Sequence, residues 1–154
     1  MTAGGILKYQ LYFGYAASFI AAFAYGSVAV LGKKVTTEFA SPLVVSAFSL
    51  LFGTALMSIV FAQHAFSERR SATRLGWLMV FLSGFFSAGG VTFFYLALST
   101  SPVVLVAPIV AINPLITLLI SHFCIGGMET VTWRTVLGGL LVVGGVGLVA
   151  VGVG

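Results

Sequence analysis

The sequence has 154 residues, of which 60% are hydrophobic and only 6% are charged, and its formal net charge is +4. A soluble domain usually carries roughly 25% charged residues, because polar side chains must cover its surface. Seven basic and three acidic residues are too few for that purpose, so the composition excludes an ordinary soluble fold. It predicts that a lipid bilayer surrounds most of the chain.

The polar minority of the sequence argues against several other classes of protein. The basic residues are scattered and form no patch of the kind that binds nucleic acid. Cys124 is the single cysteine, which excludes an intrachain disulfide bond and a thiolate metal cluster. His64 and His122 lie near the ends of predicted helices, where we interpret them as interfacial residues rather than as metal ligands. We therefore expect neither a metal nor a cofactor.

Charged and polar segments divide the sequence into apolar stretches that are long enough to cross a membrane as helices, which takes about 20 residues. These interruptions are residues 33–38, 67–74 and 122–134, together with residues 99–102, where a proline ends a helix. The sequence thus predicts an all-α fold, a polytopic transmembrane helix bundle with about five spanning helices. These helices are expected near residues 10–32, 42–63, 75–98, 103–124 and 132–153.

Basic residues outside the predicted spans indicate the orientation of the chain. With five spans, one side of the membrane receives five basic residues and the other receives only Lys33 and Lys34. Because cytoplasmic loops are enriched in Lys and Arg, we predict a cytoplasmic N-terminus and an external C-terminus in a cell membrane. Trp77 and Trp133 agree, since each lies close to an arginine at the predicted cytoplasmic interface. The five basic residues are Lys8, Arg69, Arg70, Arg74 and Arg134.

The interior of the predicted spans lacks charged side chains. An ionisable group at the centre of a bilayer is costly and usually functional, so its absence removes the usual means of proton coupling. It also argues against an enzyme, which would need a nucleophile with a base, paired carboxylates or a metal. We therefore predict no catalytic residues.

A polar stripe marks the fourth predicted span. Asn113, Thr117 and Ser121 recur at helical spacing on one face, and Pro108 and Pro114 interrupt the same helix. A proline frees a backbone carbonyl that a neighbouring helix, a hydroxyl or water must satisfy, so this face is a candidate wall of a solute pathway. The alternative is that these side chains form hydrogen bonds between packed helices, which is the simpler role for Thr117 and Ser121.

Two further helical faces and a glycine repeat stand out in the remaining spans. Aromatic and hydroxyl groups together suit a cavity for a partly polar solute, although packing is the simpler role for any single tyrosine. The face of the first span comprises Tyr15, Ser18, Ala22 and Tyr25, with Gly26 and Ser27 beside it. The face of the third comprises Gly84, Ala88, Thr92, Tyr95 and Ser99. The last span repeats glycine at residues 138, 145 and 152, which is typical of a packing helix.

Short elements in a fixed order connect the chain to a known family. These are Ala24–Ser27, Ser41–Pro42, Tyr95–Ser99 with Pro102, Asn113–Pro114, Gly126–Glu129, Leu137–Leu140 and Gly144–Val146. In this order and on five spans, they resemble the EamA domain of the drug/metabolite transporter superfamily over nearly the whole chain. Residues 1–154 are accordingly interpreted as a single EamA-like transmembrane domain.

The sequence departs from the family pattern in two respects. Relatives often have an arginine early in the second helix, whereas this chain has the uncharged segment Ser46–Ser49. Most members also carry two such domains of opposite orientation in one chain, and the substrate site of such inverted repeats lies near the midplane between the halves. The resemblance therefore implies a pair, either a homodimer or a complex with an oppositely oriented homologous half.

The resemblance implies a carrier subunit that moves a small metabolite, such as an amino acid or a related solute, by alternating access. One alternative is a small multidrug exporter, which normally needs a carboxylate in the first helix, and another is a non-transporting membrane subunit. The residues expected to line the solute pathway are Tyr25, Ser27, Thr92, Tyr95 and Asn113.

Overall fold

The computed structural model describes residues 3–68, 73–124 and 133–152, and every regular element in these segments is an α-helix. This confirms the all-α prediction. The predicted loop at residues 126–129 and the arginines at 69 and 70 lie outside the described residues. The helices are α1 (Ala3–Glu38), α2 (Pro42–Glu68), α3 (Arg74–Thr100), α4 (Val103–Val110), α5 (Asn113–Cys124) and α6 (Trp133–Gly152).

Four apolar stretches of these helices are long enough to cross a membrane. A fifth apolar stretch, Val136–Val149 in α6, is shorter. The whole of α6 has 20 residues and measures about 30 Å, which is the thickness of a hydrocarbon core. The fold is therefore that of a multi-pass helical membrane protein. The four long stretches are Lys8–Glu38, Pro42–Gln63, Arg74–Thr100 and Val103–Ser121.

Helix α1 extends further at both ends than the apolar pattern predicts. It passes through the two lysines without a break, because Lys is a good helix former and no proline occurs before Pro42. Thr36 and Thr37 donate their hydroxyls to carbonyls of the preceding turn, those of Gly32 and Lys33, at 2.8 Å each. The charges in this segment therefore do not end the helix.

The chain forms two compact units, residues 1–100 and 101–154. In the first unit, α1, α2 and α3 contact one another near the end of α1, the start of α2 and the end of α3. We call this region the packed end; it comprises residues 29–36, 45–49 and 92–98. The buried side chains of the unit lie here: Ala29, Val45, Ser46, Tyr95 and Leu98.

Beyond the packed end, the three helices of the first unit leave their side chains exposed. All residues are exposed from 8 to 26 in α1, from 51 to 61 in α2 and from 77 to 87 in α3. Most of these residues are large and apolar, which suits contact with lipid rather than water. The first unit is therefore packed at one end only.

In the second unit, the fourth predicted helix is divided into α4 and α5 by a turn at Ala111 and Ile112. Pro114 explains this division, because it has no N–H to donate to the carbonyl of Val110 and its ring would clash with that carbonyl. Helix α6 packs against α4 and α5. A side chain at Gly139 would collide with Leu115, so the glycine permits the close approach of α5 and α6.

Candidate functional site

Four hydroxyl groups face one another between α2 and α3 at the packed end. Ser46 and Ser49 are three residues apart on α2, and Thr92 and Tyr95 are three residues apart on α3, so each pair lies on one helical face. The Thr92 Oγ1 lies 3.3 Å from the Ser46 Oγ and shares its proton between this atom and the Ala88 carbonyl, and the Ser49 Oγ lies 3.2 Å from the Tyr95 hydroxyl. We call these four residues the hydroxyl cluster.

The hydroxyl cluster is buried on one side and has its hydrogen bonds satisfied. Ser46 is 4% exposed and Tyr95 is 5% exposed. Ser46 also donates to the Leu43 carbonyl at 2.9 Å, and Thr92 also donates to the Ala88 carbonyl at 2.8 Å. Among the described residues, no buried side-chain polar atom is left without a partner. The cluster is therefore a stable polar region in a largely apolar unit.

Helix α1 contacts Tyr95 of the cluster at a glycine, Gly32. A Cβ atom at Gly32 would lie 2.5 Å from Cε1 of Tyr95, which is too close for a real contact, and 3.2 Å from Cδ1 of Leu98, which is tight. Because glycine has no side chain, the tyrosine ring lies directly against the α1 backbone. The ring of Tyr95 thus contacts α1 while its hydroxyl reaches α2.

One cation lies beside this contact. The ammonium group of Lys33 donates to the backbone carbonyl of Leu98 at 2.7 Å. This carbonyl belongs to the last turn of α3, where the carbonyls have no partner within the helix. The hydrogen bond therefore ties α1 to the end of α3 and places a positive charge one turn away from Tyr95.

The structure brings together two of the five predicted pathway residues, Thr92 and Tyr95. Tyr25 is on α1, with 72% of its surface exposed. Ser27 donates its hydroxyl to the Phe23 carbonyl at 3.0 Å within the same helix. Asn113 begins α5 in the other unit, where its carbonyl accepts the Thr117 hydroxyl at 3.0 Å. Tyr25 and Ser27 do not join the hydroxyl cluster.

Sequence reasoning missed four residues at this site: Gly32, Lys33, Ser46 and Ser49. The two serines occupy the segment where relatives often have an arginine. Their spacing of three matches that of Thr92 and Tyr95, and this match is the signal that could have identified them. Nothing in the local sequence distinguishes Gly32 from the other glycines of the chain.

The chemistry available at the packed end is that of hydrogen bonding. Three aliphatic hydroxyls and one phenol can each donate and accept, and a lysine adds positive charge nearby. In the segments that the structure describes, no three His, Cys, Asp or Glu side chains come together in a group that could hold a metal ion. The arrangement can therefore bind a polar group of a solute by exchanging hydrogen bonds.

The long apolar helices are those of a polytopic membrane protein, and the small hydroxyl cluster lies between two of them. The sequence profile of the EamA-like transporter family matches residues 12–151. The chain belongs to this family, which confirms the resemblance seen in the sequence, and its class is that of membrane transporters of the drug/metabolite type. No curated protein and no solved structure matches the chain.

Proposed function

We propose that this chain is one half of a carrier that moves a small metabolite, such as an amino acid or a related solute, across the cell membrane by alternating access. The hydroxyl cluster is the observation that carries the proposal. Four hydroxyl groups meet between two helices whose other exposed positions are mainly apolar. A few convergent polar groups in apolar surroundings are typical of small-molecule sites.

The lengths of the hydrogen bonds in the cluster support an exchangeable site. The Ser46–Thr92 and Ser49–Tyr95 distances are 3.3 and 3.2 Å. Hydroxyl–hydroxyl bonds are usually about 2.7–2.8 Å long, so both contacts are weak. A solute with a carboxylate, hydroxyl or amide group can replace them at little cost, because it offers shorter bonds to the same atoms.

The second half of the carrier is an antiparallel partner. In inverted-repeat carriers the substrate lies near the midplane, between halves of opposite orientation. The hydroxyl cluster lies roughly 6–12 Å from the nearer ends of α2 and α3, so in a single copy this cluster lies on one side of the midplane. A second copy, or an oppositely oriented homologous half, supplies the other side. The exposed ring of Tyr25 lies about 10 Å from Gly32 along α1, toward the midplane.

Uptake into proteoliposomes tests the proposal, with a ¹⁴C-labelled amino-acid mixture as the probe and counterflow as the readout. Tyr95→Phe removes the hydroxyl that meets Ser49, and the loss of one such bond should lower uptake by about fivefold to tenfold. Tyr12→Phe is the matched control, because it removes the same atom from a ring that is 70% exposed on α1. Equal uptake by the two variants would contradict a role for the hydroxyl cluster.

A second variant tests whether the pathway includes Asn113. We expect Asn113→Ala to reduce uptake while membrane insertion and assembly remain intact, because its side chain is exposed in the described part of α5. Loss of assembly in parallel with uptake would assign Asn113 to helix packing instead. Proton-driven efflux of ethidium without any amino-acid counterflow would identify the chain as a cation exporter, although its glutamates lie outside the predicted spans.

A further inference from the structure

We infer that Tyr95 closes the packed end of the first unit and that Gly32 is the positioning residue that permits this closure. The inference rests on the proposed transport function, in which a solute leaves past this end when the ring moves away. It assigns a role to Gly32 and a role to its contact with Tyr95, and solute binding itself requires neither.

Tyr95 is the point where all three helices of the unit meet. The residue belongs to α3, its ring lies against the backbone of α1 at Gly32, and its hydroxyl bonds Ser49 of α2. With 5% of its surface exposed, it fills the space between the helices at this level. Displacement of this one side chain would therefore open contacts with both neighbouring helices.

The distribution of burial along α1 shows that contact is confined to this level. Ser18, Ala22 and Tyr25 share a helical face with Ala29 and Gly32. The first three are exposed, whereas Ala29 and Gly32 are buried. The same face of α1 thus passes from packed to unpacked within about two turns. One state of an alternating-access carrier must close the solute pathway on one side of the membrane, and the packed end is the level of this unit at which its helices close together.

The contact between Gly32 and Tyr95 is also suited to opening. At Gly32 the flat ring meets bare backbone and no side chain of that residue, so this contact itself offers little resistance to sliding. The hydroxyl bond to Ser49 is long, at 3.2 Å. The nearby bond from Lys33 to Leu98 runs through a flexible four-carbon side chain, which keeps α1 close to α3 while the ring moves.

Thiol labelling of Ser46→Cys reports closure, because position 46 is a buried position of the packed end. The background carries Cys124→Ala, which removes the single native cysteine. The buried position 46 should react slowly with a membrane-impermeant maleimide. Adding Gly32→Ala forces the ring of Tyr95 aside and should raise the labelling rate about tenfold. Gly26→Ala is the matched control, because a Cβ there meets nothing within 4 Å.

Counterflow of the same amino-acid mixture separates positioning from a general structural effect. Failure to close should lower the maximal rate by about tenfold, and KM should rise no more than in Tyr95→Phe, which loses the same hydroxyl contact with Ser49 but keeps its ring. If Gly32→Ala does not insert, Tyr95→Leu opens the same contact by removing the ring and should give the same rise in labelling.

Three results would overturn the inference. Equal labelling of the Gly32→Ala and Gly26→Ala variants, or slow labelling of Tyr95→Leu, would show that the ring does not close this end. An unchanged maximal rate in a variant that labels rapidly would show that closure is not part of transport. Failure of the transport proposal looks different, because the parent protein would then show no counterflow while the labelling difference persisted.

Discussion

The ammonium group of Lys33 lies where a helix most favours a positive charge. It donates to the Leu98 carbonyl at 2.7 Å, in the last turn of α3. The carbonyl end of a helix carries partial negative charge, and its last four carbonyls lack intrahelical partners. The lysine therefore stabilises the end of α3 and the contact between α1 and α3.

Lys33→Met tests this role, because methionine keeps much of the apolar stem and removes the charge. We expect the free energy of unfolding in detergent to fall by about 1–2 kcal/mol, the contribution of a charge-assisted hydrogen bond. Chemical denaturation followed by circular dichroism would measure it. Lys34→Met is the control, since Lys34 is exposed on the same turn of α1. An equal loss in both variants would indicate a nonspecific effect of charge.

The residues of the site show what a sequence can and cannot predict. Thr92 and Tyr95 were identifiable because a hydroxyl and a phenol share one face of an apolar helix. Their partners Ser46 and Ser49 were not, because helical periodicity defines the faces of one helix and not which faces of two helices meet. Lys33 was interpreted only as a marker of orientation, since the pattern of charges does not reveal that a long side chain folds back onto a neighbouring carbonyl.

At the scale of elements, the division between α4 and α5 follows from local chemistry. The amides of Ala111 and Ile112 bond carbonyls three residues back, those of Pro108 and Ile109, at 3.1 and 3.2 Å. This is the tighter 3₁₀ pattern that often ends a helix. The prolines predicted an interrupted helix, and the structure locates the interruption. Both prolines could be identified in the sequence, but only Pro114 lies four residues after Val110, where α4 ends.

Pro114→Ala should restore a continuous helix across this turn. Alanine supplies the missing amide donor and removes the clash with the Val110 carbonyl. Spin labels at residues 105 and 119, in a background without Cys124, would report the distance by pulsed electron paramagnetic resonance. We expect the distribution to narrow and to centre near about 21 Å, the length of fourteen helical steps.

Pro108→Ala is the matched control for this measurement. It restores one amide inside α4 and leaves Pro114 in place, so the distribution of the native protein should persist. A narrow distribution with Pro108→Ala, and none with Pro114→Ala, would assign the break to the other proline.

At the scale of the whole molecule, the composition determined the class of fold. Long apolar stretches separated by charges could be identified without a structure, because the hydrocarbon core requires about 20 residues per helix. The ends of the helices were less predictable. Helix α1 has 36 residues rather than the predicted 23, since the helix continues through Lys8 at one end and through Lys33, Lys34 and Glu38 at the other.

Reporter fusions at both termini test the predicted topology and the nature of the partner. The distribution of basic residues predicts an N-terminus in the cytoplasm and a C-terminus outside. Reporters found in this orientation alone would exclude an antiparallel homodimer and require an oppositely oriented homologous half. Reporters found in both orientations would support the homodimer.

A variant with fewer basic residues serves as the control for the topology test. Replacing the three arginines at residues 69, 70 and 74 by glutamine leaves Lys8 and Arg134 on one side and Lys33 and Lys34 on the other. This balance should produce a mixture of orientations. An unchanged single orientation would show that something other than the basic residues determines insertion.

Helix α1 is packed against its neighbours at one end only, and its length determines how far its other end can move. At 36 residues the helix measures about 54 Å, well beyond the roughly 30 Å of the hydrocarbon core. The start of α1 lies about 40 Å from Gly32, so a rotation of the helix about its packed end moves its start the farthest. A rotation of about 10° at Gly32 would move the start of α1 by roughly 7 Å. A small rotation at a single glycine would therefore displace the far end of the helix by about the size of an amino acid.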